Sequence, residues 1–275
     1  MSHALRQPQV VDLRATALPL RRSNARGQNF IVERLAGGAN LPFALSSASE
    51  IIVLLPDTGA GVAGTHEGDL PGTAVVILPA GSYQLTPSGA GDLYVLATDR
   101  TDDEAGAAAN AGMYAEADAR VRPIGERYRR VAHNGEIRIY PVAEIAIPPD
   151  NGRLRFLQSE TMSINWVEYE GVRDRSALSP HAHADAEQAS LAIEGHFIHH
   201  LRTPWGRDAD QWREDQHLVA GPGTIAIIPP EIIHTTEGSG DGRHVLIDVF
   251  APPRADFIAR SWVFNSSEYA APADA

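Results

Sequence analysis

The chain contains no cysteine. Disulfides, thiolate metal ligands and a thiol nucleophile are excluded together. Long apolar runs are missing too. The runs present, such as residues 51–55 and 225–228, fall far short of the roughly 20 residues a membrane-crossing helix needs. Cations are in deficit: 23 Lys and Arg stand against 35 Asp and Glu, a net charge of −12. Nucleic acid and anionic membranes both demand a basic surface, so neither is an expected partner. The basic N-terminus lacks the apolar core of a secretory signal, and a cytoplasmic location is expected.

What the chain does have is turn formers. With 24 Gly, 19 Pro and 43% hydrophobic residues in 275, the composition favours β architecture over helical bundles. Short apolar runs punctuated by turns fill residues 28–99, and they return from residue 137. Residues 162–170 alternate Met162, Ile164, Trp166, Glu168 against Ser163, Asn165, Val167, Tyr169. That suits a strand with two different faces. Residues 100–122 are rich in Ala, Asp and Glu, interrupted by Gly106 and Gly112, and read as a connection with a short helix. Residues 1–28 are polar and read as a loose or edge-strand terminus, or as an arm on a partner subunit.

The chemistry concentrates in residues 179–195. His181 and His183 are two apart, so on an extended chain both imidazoles aim at one spot. Imidazole suits Fe, Zn, Cu or Ni. A third, His234, follows the apolar run 224–228 and Pro229-Pro230. If Gln188 points inward, alternation turns Ser190 and Ala192 inward too, and Leu191 and Ile193 outward. The same parity makes Gln188 and Glu187 mutually exclusive as ligands. His196 and His200 share a parity, and one of them is a further candidate for lining a cavity.

These two segments resemble the motifs of the cupin superfamily. His181, His183, Gln188 and Gly195 fit the first motif; Gly223, Pro229, Pro230 and His234 fit the second. The chain departs from the pattern in holding Gln188 at the fourth ligand place and Glu231 where a glycine often stands. The resemblance implies an all-β fold of two jelly-roll barrels. It implies a divalent transition metal on His181, His183, Gln188 and His234, with Fe(II) favoured and Zn, Mn or Ni possible. The activity it implies first is an Fe(II)-type dioxygenase acting on a small molecule. Isomerase, epimerase or lyase chemistry is the alternative, and a non-enzymatic sugar or organic-acid binder is a third reading. It also implies a homodimer. No catalytic acid or base is assigned; Glu187, Glu231, Tyr169 and nearby histidines are the candidates.

The first half looks like a second cupin without ligands. In an ungapped register of 138 residues, Pro42 matches Pro180, Phe43 and Leu45 replace His181 and His183, and Glu50 falls opposite Gln188. Tyr83 or Gln84 then stands for His234. Apolar side chains at those places cannot hold a cation. The expected domains are residues 1–120, a degenerate barrel, and 121–275, the barrel with the metal site.

Overall fold

A computed structural model describes residues 6–15, 21–38, 41–100, 108–149 and 151–273. Ten strands form in the first part: β1 (Gln9–Asp12), β2 (Arg22–Arg26), β3 (Ile31–Leu35), β4 (Phe43–Ser47), β5 (Ile51–Leu55), β6 (Ala60–Gly64), β7 (Gly68–Leu70), β8 (Ala74–Leu78), β9 (Gly81–Pro87) and β10 (Leu93–Ala97). The connection carries a 3-10 turn, Ala111–Tyr114, and the short β11 (Arg129–Arg130). Residues 101–107 of the expected connection lie outside the described residues; in the remainder, only this 3-10 turn stands for the expected short helix.

Then come β12 (Arg138–Pro141), β13 (Leu154–Gln158), β14 (Ser163–Glu170), β15 (Gln188–Glu194), β16 (His196–Arg202), β17 (Gln216–Ala220), β18 (Thr224–Ile228), β19 (Ile233–Ser239) and β20 (Arg243–Phe250). A one-turn helix α1 (Ala255–Ala259) and β21 (Tyr269–Ala270), paired with β11, close the chain.

The fold is all-β and built twice. The first unit packs a sheet of order β12-β8-β5-β10-β3-β2 over one of order β4-β9-β6-β7. The second packs β1-β18-β15-β20-β14-β13 over β17-β16-β19. Among the described residues no strand ladder joins the two sheets of either unit, so each is a jelly-roll sandwich rather than a closed barrel. The two six-stranded sheets also bury residues of both units in one core, with Ile52, Ile77 and Leu96 on one side and Ile164, Leu191 and Ile247 on the other. These sheets are apolar on both faces, which is why β5, β8 and β18 read as unbroken apolar runs. Edge strands are exchanged: β1 pairs with β18 and β12 pairs with β8.

Strand registers relate the units residue by residue. Ile51 faces Leu78 as Gln188 faces Ile228. Tyr94 faces Leu54 as Ile247 faces Leu191. Leu13 N–H reaches Gly223 O at 3.0 Å, as Val142 N–H reaches Thr73 O at 3.0 Å. Gly223 and Thr73 both hold positive φ, 86° and 54°. The register corrects the sequence alignment by one residue. Ile51, not Glu50, is the counterpart of Gln188, and Glu50 matches Glu187. A polar-to-polar match had hidden an apolar replacement.

The contacts of these two glutamates repeat. Glu187 accepts from Arg6 Nη1 at 3.0 Å, Tyr114 Oη at 3.2 Å and Gln28 N at 2.5 Å. Glu50 accepts from Arg130 Nε at 2.6 Å, Tyr269 Oη at 2.9 Å and Glu160 N at 2.9 Å. Each is a carboxylate near a unit's edge, holding segments that run to the other unit. Phe43 pairs with Leu85, whereas His181 bridges to His234. Phe43, Leu45, Tyr83 and Leu85 fill the buried face of β4 and β9, and Gln84 is exposed on the other face.

Candidate metal centre

His181 lies just ahead of β15 and bridges the start of β19, with paired N–H···O contacts to His234 of 3.0 and 2.7 Å. That bridge brings the two distant motifs together. One nitrogen from each of His181, His183 and His234 lies within 4.8 Å of the others. His183 and His234 are buried, and His181 is exposed at the mouth. At the other end of the motif, Gly195 adopts φ +82°, and a Cβ there would sit 2.7 Å from the His244 ring. Only glycine fits that close approach.

The tautomers follow from the partners. His181 Nδ1–H donates to Ser179 O and His234 Nδ1–H donates to Ile232 O, each at 2.9 Å. Carbonyls only accept, so both Nε2 atoms carry lone pairs. Gln188 is the first residue of β15 and points inward. Its amide nitrogen donates to Ser190 Oγ at 2.9 Å and to Asp248 Oδ1 at 3.0 Å. Its Oε1 is thereby turned to His183 Nε2 at 2.9 Å and His234 Nε2 at 3.1 Å. The bare Nε2 of His234 against an amide oxygen is a contact between two lone pairs. A cation among these atoms would satisfy both. The donor set therefore fits a divalent ion with His181, His183, His234 and Gln188 around it.

Glu187 points the other way, into the contacts with Arg6 and Tyr114. Ser190 faces inward and Leu191 and Ile193 pack outward in the inter-unit core, as the alternation predicts. His196 and His200 both lie off the cavity. The interior histidine of β16 is His199, fully buried with its Nδ1 at 2.9 Å from Thr236 Oγ1. His200 sits on the outer face between Glu237 and His217. Glu231 is exposed and paired with Arg120 at 3.0 Å. Tyr169 lines the cavity, and burial raises its phenol.

Sequence reading missed three residues. Asp248 sits beneath Gln188 and accepts from Ser190 Oγ at 2.6 Å and Asn165 Nδ2 at 3.2 Å. Burial pushes its carboxyl up, opposed by those donors. The available signal was a carboxylate inside the apolar run 245–250. Asn165 Oδ1 is buried and has no hydrogen-bond partner among the described residues. Arg254, just past β20, donates from Nη1 to His183 Nδ1 at 2.8 Å and grips Asp256 through Nε and Nη2 at 2.8 and 3.0 Å. Above them opens a cavity of about 600 Å3. Its walls include Phe156, Phe257 and Trp262, and its rim carries Arg153, Arg173, Arg254 and Arg260.

Burial lowers His183 to about 3, helped by Arg254, and lowers His234 and His199 to about 4. All three are neutral at pH 7, the form that ligates metal. Below their ordinary value of 6.5 the unfolded chain takes up protons that the folded chain refuses. Stability is thus complete above that pH and is lost as pH falls towards about 4. Urea titrations of the metal-free protein across this window should show the loss. The His183→Gln/His234→Gln variant should show a shallower slope; equal slopes would contradict the burial argument.

No protein-family model and no curated protein sequence matches the chain. Solved structures do. AerE from Microcystis aeruginosa is 11% identical, with a TM-score of 0.54 over 91% of this chain and 99% of its own. Oxalate decarboxylase from Bacillus subtilis, solved at pH 4.6, is 15% identical, with a TM-score of 0.52 over 90% and 72%. A second structure of that enzyme, from work on its Mn(II) centres, is 14% identical, with a TM-score of 0.52 over 89% and 72%. The likeness shows a β-sandwich jelly-roll fold shared with these proteins. Among the described residues no helix is long and apolar enough to cross a membrane.

Proposed function

We propose that the chain is a divalent-metal-dependent cupin enzyme acting on a small organic acid by lyase or isomerase chemistry. The observation that carries this reading is the convergence of three imidazoles and one oriented amide oxygen at the floor of an arginine-rimmed cavity. A bound cation would supply Lewis-acid polarisation of a carbonyl or enolate. Imidazole and amide ligands bring no negative charge, so the cation's charge stays undamped; Asp248 is one hydrogen bond removed, through the Gln188 amide. Mn(II) is supported by the similarity to oxalate decarboxylase, and the donor set also suits Fe(II), Zn or Ni.

The protein's own groups favour a carboxylate with an apolar body. Among the described residues, neither Arg153 nor Arg260 is paired with a carboxylate. Their guanidiniums lie over Tyr169 and Trp262 at 5.7 and 4.9 Å from the ring centroids. Burial, then Arg173, lowers the proton affinity of Arg153, and an incoming anion would reverse that. The buried Asn165 Oδ1 offers an acceptor for a substrate hydroxyl or amine. The aromatic walls would exclude water from the reacting carbon.

The test is turnover by the Mn(II)-loaded protein of a panel of carboxylates and 2-oxo acids, followed by oxygen electrode and product analysis. Product without stoichiometric oxygen uptake is expected. One oxygen consumed per turnover would restore the dioxygenase reading, and binding without turnover would favour a small-acid binding protein.

A further inference from the structure

Arg254 and His183 are in an arrangement that a metal-loaded site cannot keep. A guanidinium only donates, so its 2.8 Å contact with His183 Nδ1 leaves that nitrogen bare and places the ring proton on Nε2. Nε2–H then donates to Gln188 Oε1 at 2.9 Å. His183 is thus locked in the opposite tautomer from His181 and His234, whose Nδ1–H groups are held by carbonyls. Nε2 is also the atom of His183 that faces the cluster. A cation on Nε2 requires the proton on Nδ1, and Nδ1–H would meet the Arg254 N–H head on.

We propose that metal loading flips the His183 tautomer and expels Arg254 Nη1, and that this freed donor then takes the substrate carboxylate, so the metal binds first and the acid second. The inference rests on the metal-site reading above. No proton is gained or lost by the ring; one moves from Nε2 to Nδ1. Arg254 need not travel far. Its Nε and Nη2 remain on Asp256, its Cζ lies 5.3 and 5.0 Å from the Phe250 and Phe257 ring centroids, and it already lines the cavity. In the metal-free state the same contact shields one anion-binding donor, giving the acid a weaker hold.

Three measurements on the full-length protein test this. Nitrogen-15 NMR of the ring of His183 should show Nδ1 bare in the metal-free protein and protonated with Zn(II) bound. Chelator competition should show Zn(II) bound about tenfold more tightly by Arg254→Met than by wild type, because the competing charge-assisted hydrogen bond is gone. Arg260→Met is the control: it removes a cavity charge without touching His183, and its gain should be clearly smaller. Benzoate should bind the Zn(II)-loaded protein about tenfold more tightly than the metal-free one, and Arg254→Met should abolish that difference.

A protonated Nδ1 in the metal-free protein, or equal gains from the two substitutions, would overturn the proposal while leaving the metal site standing. Wild type that binds no Zn(II) at all would remove the metal-site reading itself, and the proposal with it.

Discussion

His234→Ala is expected to weaken Mn(II) or Zn(II) binding by more than about 100-fold, because losing a mere outer-shell partner already costs about 10- to 100-fold. His234 joins two parts of the site: its Nε2 faces Gln188 Oε1, and its backbone pairs with His181. Substitution removes the candidate ligand and leaves Gln188 facing a gap. His181→Ala, at an exposed position, should give a comparable loss without a packing defect, which guards against simple unfolding. Asp248→Asn should fall in the outer-shell range, since it disturbs the acceptors that turn the Gln188 amide. His200→Ala should change nothing, because that ring serves Glu237 and His217 on the outer face. Isothermal titration of the metal-free variants reads all four. A His234→Ala protein with wild-type affinity would end the claim that these imidazoles share a cation.

The three imidazoles were legible because their geometry is local in one case and punctuated in the other. The spacing of His181 and His183 fixes a shared direction on extended chain, and the prolines before His234 mark where a strand ends. Parity makes Gln188 and Glu187 mutually exclusive without choosing between them; the six-residue step to Gly195 favours Gln188. Asp248, Asn165 and Arg254 were not legible, since each acts through a partner far away in sequence. Asn165 meets Asp248 across β14 and β20, and Ser190 meets Asp248 across β15 and β20. Such pairs depend on strand order, which periodicity does not report. The internal repeat was visible, yet its register slipped by one residue, because similarity of Glu to Gln outweighed the pairing of Ile51 with Leu78.

The corrected register explains why the first unit shows no comparable histidine cluster among its described residues. Where the second unit places Asn165, Asp248 and Ser190 side by side, the first places Glu33, Val95 and Val53. Glu33 is fully buried. It takes Arg22 through two bonds of 2.7 and 2.9 Å and Arg100 through one of 2.9 Å. Arg22 also donates to Ala44 O at 3.2 Å, and its guanidinium lies 6.0 Å from the Phe43 ring centroid. An ion cluster and two valines thus fill the volume that the second unit leaves open.

Glu33→Ala is therefore expected to destabilise the protein by about 3–5 kcal/mol, the cost of stripping one partner from a buried ion pair. That is a large share of the 5–15 kcal/mol that holds a typical domain together. Arg22 keeps its contact with Ala44 O, but both arginines lose the carboxylate that neutralises them. Replacing the cluster whole, as Arg22→Met, Glu33→Leu and Arg100→Met, removes the charges together and should restore most of the loss. Denaturant midpoints at fixed pH measure both. Because the substitution sits in the first unit, metal affinity of the folded Glu33→Ala protein should stay within about twofold of wild type, as expected for distant, independent sites. A drop of less than about 1 kcal/mol, the range of an exposed pair, would mean that Glu33 is hydrated in solution and that the first unit's interior is not sealed.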